Sequence, residues 1–244
     1  MKFLKNHPFA VSAYFDRSTV LAFAAPKENL QHFIPECLEL DTFDDKWAFI
    51  AVAMVQTKHL RPKGFPKMLG NDFFLIGYRI FVRYRTSYGK RLRGLYIIKS
   101  ETNKKKMEFF GNVFTHYNYT TTDIQMIEKD QRRTFLSETS NFELTIDTTE
   151  KEIPLPDQSP FNEWKEARRF AGPLPFTFTY QEEDNSVLII EGVRTNWKPK
   201  PIYVKEYNFE FLDNLHVKDI VLANAFEITN IPYMWKKGKK DKWK

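Results

Sequence analysis

Three charged side chains stand where a strand would otherwise be apolar, and each could do chemistry. In FFLIGYRIFVRYR, Phe73 to Arg85, one alternating set is Phe74, Ile76, Tyr78, Ile80, Val82 and Tyr84; the other is Phe73, Leu75, Gly77, Arg79, Phe81 and Arg83. Arg79, beside a glycine on this mixed face, has the fork of donors that binds a carboxylate entering a cavity. The alternative is a surface arginine or a structural ion pair. Glu191 alternates with Val187, Ile189 and Val193, and Lys205 with Tyr203, Tyr207 and Phe209. Burial would raise the pKa of the carboxyl and lower that of the amine, as acid–base or amine catalysis requires. Near a strand edge the same side chains would reach water instead. Lys67, in the loop run GFPK, and Lys99 are the other candidate amines. A Schiff base on Lys67, Lys99 or Lys205 would make a lysine-dependent decarboxylase or aldolase-type enzyme acting on a keto acid. Met68 follows Lys67, however, and Lys63 lies across the turn, so no adjacent amine is there to lower its pKa.

The five histidines, at positions 7, 32, 59, 116 and 216, show no ligand spacing, and Cys37 is the single cysteine. No metal site or cofactor is expected. Neither a glycine-rich phosphate loop nor a Gly-x-Ser-x-Gly elbow occurs.

The elements that must position these residues alternate with period two. Phe9 to Phe15 and Ser18 to Ala24 flank Asp16-Arg17 and predict a hairpin. Pro26 to Phe33 predicts a short helix. Cys37 to Phe43 and the run from Trp47 to Leu60 predict a second hairpin, and 61–71 a proline- and glycine-rich loop. The Phe73 to Arg85 strand pairs with Arg91 to Glu101 across Tyr88-Gly89. Asn103 caps a helix reaching Phe114, a three-stranded meander follows, and Phe161, Trp164, Ala167 and Phe170 mark one face of another helix. Further strands run through 176–183, 186–194 and 202–212, and Ala225 to Ile231 ends the ordered part. So many antiparallel strands are best served by closure into a barrel or a curled double sheet.

The 42% hydrophobic and 16% aromatic content predicts one compact, mainly β (α+β) domain over 1–234. The net charge of +6 is concentrated in the last ten residues, WKKGKKDKWK, which carry +5 and leave +1 for the rest. Residues 235–244 are therefore read as a disordered basic tail, and the chain carries no strong nucleic-acid signal. Docking of that tail on RNA or an anionic membrane would make the protein an interaction module. The start of the chain is a poor signal peptide and nowhere do 18 apolar residues run together, so a cytoplasmic location without a membrane span is expected. An oligomer is compatible with the sequence.

The motifs Leu60-Arg61-Pro62-x-Gly64-x-Pro66, Arg79-x-Phe81-Val82, Arg93-Gly94-Leu95-Tyr96, a helix ending near Gly111, and Trp197 followed by Pro199 occur in that order. Over most of Trp47 to Leu212 the chain resembles the YqjF-like family of uncharacterised bacterial proteins, within the acetoacetate decarboxylase-like superfamily. The resemblance implies an antiparallel, barrel-like β fold with a few short flanking helices and a central cavity. The position of the decarboxylases' lysine pair falls at Asn118 and Tyr119, and no lysine occurs between Lys106 and Lys129. The resemblance therefore does not carry the Schiff-base chemistry with it. The relatives' Glu-x-Asn-x-Arg alternation reads here Leu75-Ile76-Gly77-Tyr78-Arg79, and the histidine before their late tryptophan is missing from Arg194-Thr195-Asn196-Trp197. The expected function is binding of a small, largely apolar, anionic ligand. Arg79 would be the anion contact, with Tyr96, His116, Tyr117, Asn118, Tyr119, Trp197 and Glu191 as the other candidate ligand-binding residues.

Overall fold

Long alternating strands need partners on both edges, and the chain supplies them by bending one sheet back on itself. The computed structural model describes residues 2–149, 152–172 and 174–243. In chain order the elements are β1 (Val11–Pro26), β2 (Glu39–Leu40), β3 (Trp47–Pro62), β4 (Asn71–Arg85), β5 (Arg91–Thr102), α1 (Lys105–Phe114), β6 (Tyr119–Thr121), β7 (Gln125–Lys129), β8 (Arg132–Ser137) and β9 (Phe142–Asp147). They continue with α2 (Trp164–Phe170), β10 (Phe176–Gln181), β11 (Ser186–Arg194), β12 (Lys200–Pro201), β13 (Tyr203–Phe209), α3 (Glu210–Asp213), β14 (Val221–Trp235) and β15 (Lys239–Lys242). The protein is mostly β with a few short helices, as the alternation predicts.

The main sheet runs β14, β1, β3, β4, β5, β10, β11, and β11 pairs again with β14, so the hydrogen-bonded path returns to its start as a ring. Its steps are antiparallel except β5 to β10, which is parallel. A second, four-stranded sheet, β13, β9, β8, β7, packs on the outer face of the ring. Alternation along each strand divides the side chains between two environments. Ile76, Tyr78, Ile80, Val82 and Tyr84 of β4 join Phe135, Leu144 and Ile146 of the second sheet in the largest core. Leu75, Arg79 and Phe81 face the other way, into a cavity walled by all seven strands of the ring.

Several expectations are corrected. The expected hairpin at Asp16-Arg17 is one continuous strand, because both apolar halves pair with β3 and with β14; the polar pair sits at a register shift, where Arg17 reaches Glu227 at 3.1 Å. The helix at Pro26 to Phe33 is two short 3-10 turns. β2 pairs with β4, and only a single bridge, Phe43 to Trp47, remains of the expected second hairpin. Asn103 does not cap α1; its side chain accepts the Phe74 backbone N–H at 2.8 Å.

The described part of the basic tail, residues 235–243, is paired into the sheet instead of disordered. β14 runs on to Trp235, and β15 pairs with β11, Ser186 to Lys242 through Ile189 to Lys239. Two of its lysines form ion pairs: Lys240 with Asp184 at 2.6 Å and Lys236 with Glu191 at 2.8 Å. Asp241 accepts the buried Tyr84 hydroxyl at 2.7 Å and the Ser87 hydroxyl at 2.6 Å. Burial opposes its ionisation, but these hydrogen bonds outweigh it and hold the carboxyl below its usual range. A depressed folded-state pKa contributes stability that is present above about pH 4 and lost as pH falls through the lowered value. Truncation before Gly238 orphans the Tyr84 hydroxyl, and urea unfolding at pH 7 should show a loss of about 1–3 kcal/mol. That loss should shrink as pH falls below about 4.

Candidate functional site

The ring encloses a cavity of about 120 Å³. Two arginines reach it from different parts of the ring: Arg79 from β4, and Arg194 from the end of β11. Each ends a Gly-x-Arg triplet, Gly77-Tyr78-Arg79 and Gly192-Val193-Arg194, so in both strands glycine and arginine share the inward face. The glycines give the site its room. A Cβ on Gly77 would stand 3.0 Å from Nε and Nη2 of Arg79, and one on Gly192 would clash with the Tyr233 hydroxyl.

The cavity wall is cationic without counter-charge. No Asp, Glu or Lys is among its lining residues. Arg79 is half-buried and its Nε is sealed from solvent without a hydrogen-bond partner, as are Nη2 of Arg194 and Nε1 of Trp197. The Arg194 guanidinium stacks over the Trp197 ring at 3.9 Å and lies 5.9 Å from the Tyr233 ring centre. Burial lowers the pKa of both guanidiniums, and the charge of Arg79 lowers that of Arg194 further. Arginine's intrinsic pKa is so high that both remain charged. Burying an ion without a partner is costly, and the ordinary solutions are an ion pair or a bound counter-ion.

Three tyrosines complete the wall. The Tyr117 hydroxyl is 2.7 Å from Thr177 Oγ1. Burial raises the pKa of Tyr117, of Tyr233, and of Tyr119 to about 12, so all three are neutral phenols at pH 7. Tyr119 is clamped by its backbone: its N–H donates to Asn112 Oδ1 and its carbonyl accepts from Asn112 Nδ2, both at 2.8 Å. Gly111 of α1 lies flat against its ring, where any Cβ would clash.

Of the residues expected from the sequence, Arg79, Tyr117, Tyr119 and Trp197 meet at this cavity. The others do not. Tyr96 packs on the outer core, because Leu95 and Ile97 occupy the inward positions of β5. Glu191 lies on the outward face of β11 and pairs with Lys236. Asn118 is exposed with φ of 50°, turning the chain between the two tyrosines. His116 lines a separate surface depression, within 3.3 Å of Asn6 Oδ1 and 3.1 Å of Gln181 Nε2, and burial followed by the charges of Lys5 and Lys240 lowers its pKa.

The candidate amines also lie elsewhere. Lys67 is exposed on a short 3-10 turn. A register shift opposite Arg79 leaves Lys99 on the outer face, 3.0 Å from Glu101 and 4.7 Å from the Phe211 ring centre. Lys205 is on the second sheet, 3.9 Å from Asp147. Arg194 and Tyr233 were not anticipated, though the repeated Gly-x-Arg was a signal for the first. Among the described residues, no cluster of His, Cys, Asp and Glu could hold a metal ion, and no helix is long and apolar enough to cross a membrane.

Solved structures share this fold. An acetoacetate decarboxylase from Legionella pneumophila is 13% identical with a TM-score of 0.60, over 94% of this chain and 86% of that one. An acetoacetate decarboxylase-like enzyme from Sphingomonas wittichii RW1 is 9% identical with a TM-score of 0.57, over 98% and 93%. The enduracididine biosynthesis enzyme MppR, complexed with pyruvate, is 10% identical with a TM-score of 0.52, over 96% and 87%. No curated protein matches the sequence. The model of the DUF2071 family, described as an uncharacterized conserved protein, matches residues 13–237, and the chain belongs to that family.

Proposed function

We propose that the protein binds a small organic anion, a carboxylate, inside the ring, held between Arg79 and Arg194. One observation carries this reading: two guanidiniums, each with one sealed and unpartnered nitrogen, and an unpartnered indole N–H face one cavity whose lining has no acidic residue. A bound carboxylate supplies the missing charge and accepts bidentate hydrogen bonds from either fork. The surrounding tyrosines and the apolar wall from Phe15, Leu75, Phe81 and Phe226 fit a ligand whose remainder is largely apolar. One structural neighbour was solved with pyruvate, itself a small carboxylate.

Binding without Schiff-base chemistry is the favoured form, since Lys67, Lys99 and Lys205 each lie away from the cavity lining. Incubation with a β-keto acid and borohydride checks this, because a trapped adduct on any lysine would contradict it. For the anion site itself, native mass spectrometry of the isolated protein is expected to show a co-purified acidic small molecule. Calorimetry with butyrate is expected to show affinity falling about tenfold to a hundredfold in Arg194→Met, the value of hydrogen bonds to a charged group. Unchanged butyrate affinity in that variant would remove Arg194 from the site.

A further inference from the structure

A second hollow, of about 310 Å³, adjoins the arginine cavity. Its walls are mostly apolar, with Phe9 just before β1, Val11 at its start, Phe73 of β4, and Met107, Phe110 and Phe114 of α1. Leu75, Tyr117, Tyr119 and Trp235 line both hollows, so a single layer of side chains is their common boundary. Phe110 is 42% exposed, so the outer hollow meets solvent beside α1.

We infer that the ligand is an aliphatic carboxylic acid of medium length, its head between the two guanidiniums and its chain reaching the outer hollow across the layer of Leu75, Tyr117, Tyr119 and Trp235, whose side chains must turn aside to let it through. This rests on the arginine reading and extends it to a substrate class. The smaller hollow is cationic and the larger one apolar, which is the polarity of such an acid from head to tail. Size sets the chain length. A dry cavity of about 150 Å³ holds benzene, or ~25 Å³ per carbon, so the outer hollow accommodates about twelve carbons and the inner one a carboxylate with two or three more. The two together take at most about fifteen carbons, and with the outer hollow open to solvent beside α1 an acid of about ten to fourteen carbons fits within them. The rim of the outer hollow suits capture of such a molecule. Phe109 and Phe110 are exposed there, and the adjacent Lys104, Lys105 and Lys106 are exposed cations that attract the acid's head.

Calorimetric titration of the intact protein with acetate, butyrate, hexanoate, decanoate, dodecanoate and tetradecanoate, and with 1-decanol, tests this. Affinity is expected to rise about twofold to fourfold per methylene from hexanoate to dodecanoate and then level off. Decanol, which lacks the charge, is expected to bind about 30-fold more weakly than decanoate. Met107→Trp, which fills the outer hollow, should reduce decanoate affinity to that of hexanoate and leave butyrate unchanged. Butyrate binding with no gain along the series, or decanol binding as tightly as decanoate, overturns the inference and leaves the short-anion site standing. Failure of every acid, butyrate included, defeats the arginine reading beneath it.

Discussion

Arg79→Met is expected to make the unliganded protein more stable, by about 1–3 kcal/mol in urea unfolding, while abolishing carboxylate binding. The two effects share one cause. The Arg79 guanidinium lies among Leu75, Phe81 and three neutral tyrosines, with its Nε unpartnered, and no carboxylate faces it. Methionine keeps much of the stem's volume and removes the desolvated charge, a replacement that commonly stabilises. Ligand reverses the ranking. A carboxylate at a thousand times its Kd adds about 4.1 kcal/mol to the wild-type protein and nothing to a variant that cannot bind it. The two unfolding curves should therefore exchange order when a saturating acid is added. A destabilised Arg79→Met variant would mean that the arginine is satisfied by the protein itself, and would count against an anion site.

Asp41→Ala should act in the opposite direction, with a loss of about 2–4 kcal/mol in the same measurement. Asp41 is fully buried and receives Nε of Arg83 and Nε of Arg93, each at 2.6 Å. Those arginines are paired directly opposite each other on β4 and β5. Without the carboxylate two like charges face one another across the strands, an arrangement that is itself destabilising. Arg93 also donates to the Phe170 carbonyl at 3.0 Å, so Asp41 ties α2 to the ring. The arginine side chains are 35% and 40% exposed, and solvent relieves part of the cost, which places the expectation below the full penalty for breaking a buried pair. A change within about 0.5 kcal/mol would show that Arg83 and Arg93 reach water without hindrance.

These residues also show what a single sequence reveals. Arg79 was legible because strict alternation through Phe73 to Arg85 fixes which neighbours share its face, and the hairpin to β5 follows from local turn chemistry. Tyr96 was misplaced for a related reason. Alternation separates Tyr96 from Leu95 and Ile97, but it does not say which set looks into the ring; that depends on closure between β11 and β14. Arg194 and Tyr233 were hidden by the same closure, since they are paired partners from strands far apart in sequence. Asp16-Arg17 reads as a turn on composition alone, whereas β3 and β14 hold both flanking halves in one strand. The tail misled through charge. Six lysines suggest a solvated terminus, but Asp184, Glu191 and the buried Tyr84 supply the partners that dock it.

The ring is stitched unevenly. The β10 and β11 hairpin joins β5 and β14 through two short seams of three residue pairs each, Phe176 to Phe178 with β5 and Gly192 to Arg194 with β14, while β15 adds four pairs along the first half of β11. Arg79, by contrast, stands in the middle of β4, paired along its length with β3 and β5. The two guanidiniums thus ride on strands tied into the ring to unequal extents. An anion gripped by both, as proposed, would add a tie across the cavity between the narrow seam at Arg194 and the fully paired β4, where the backbone supplies few.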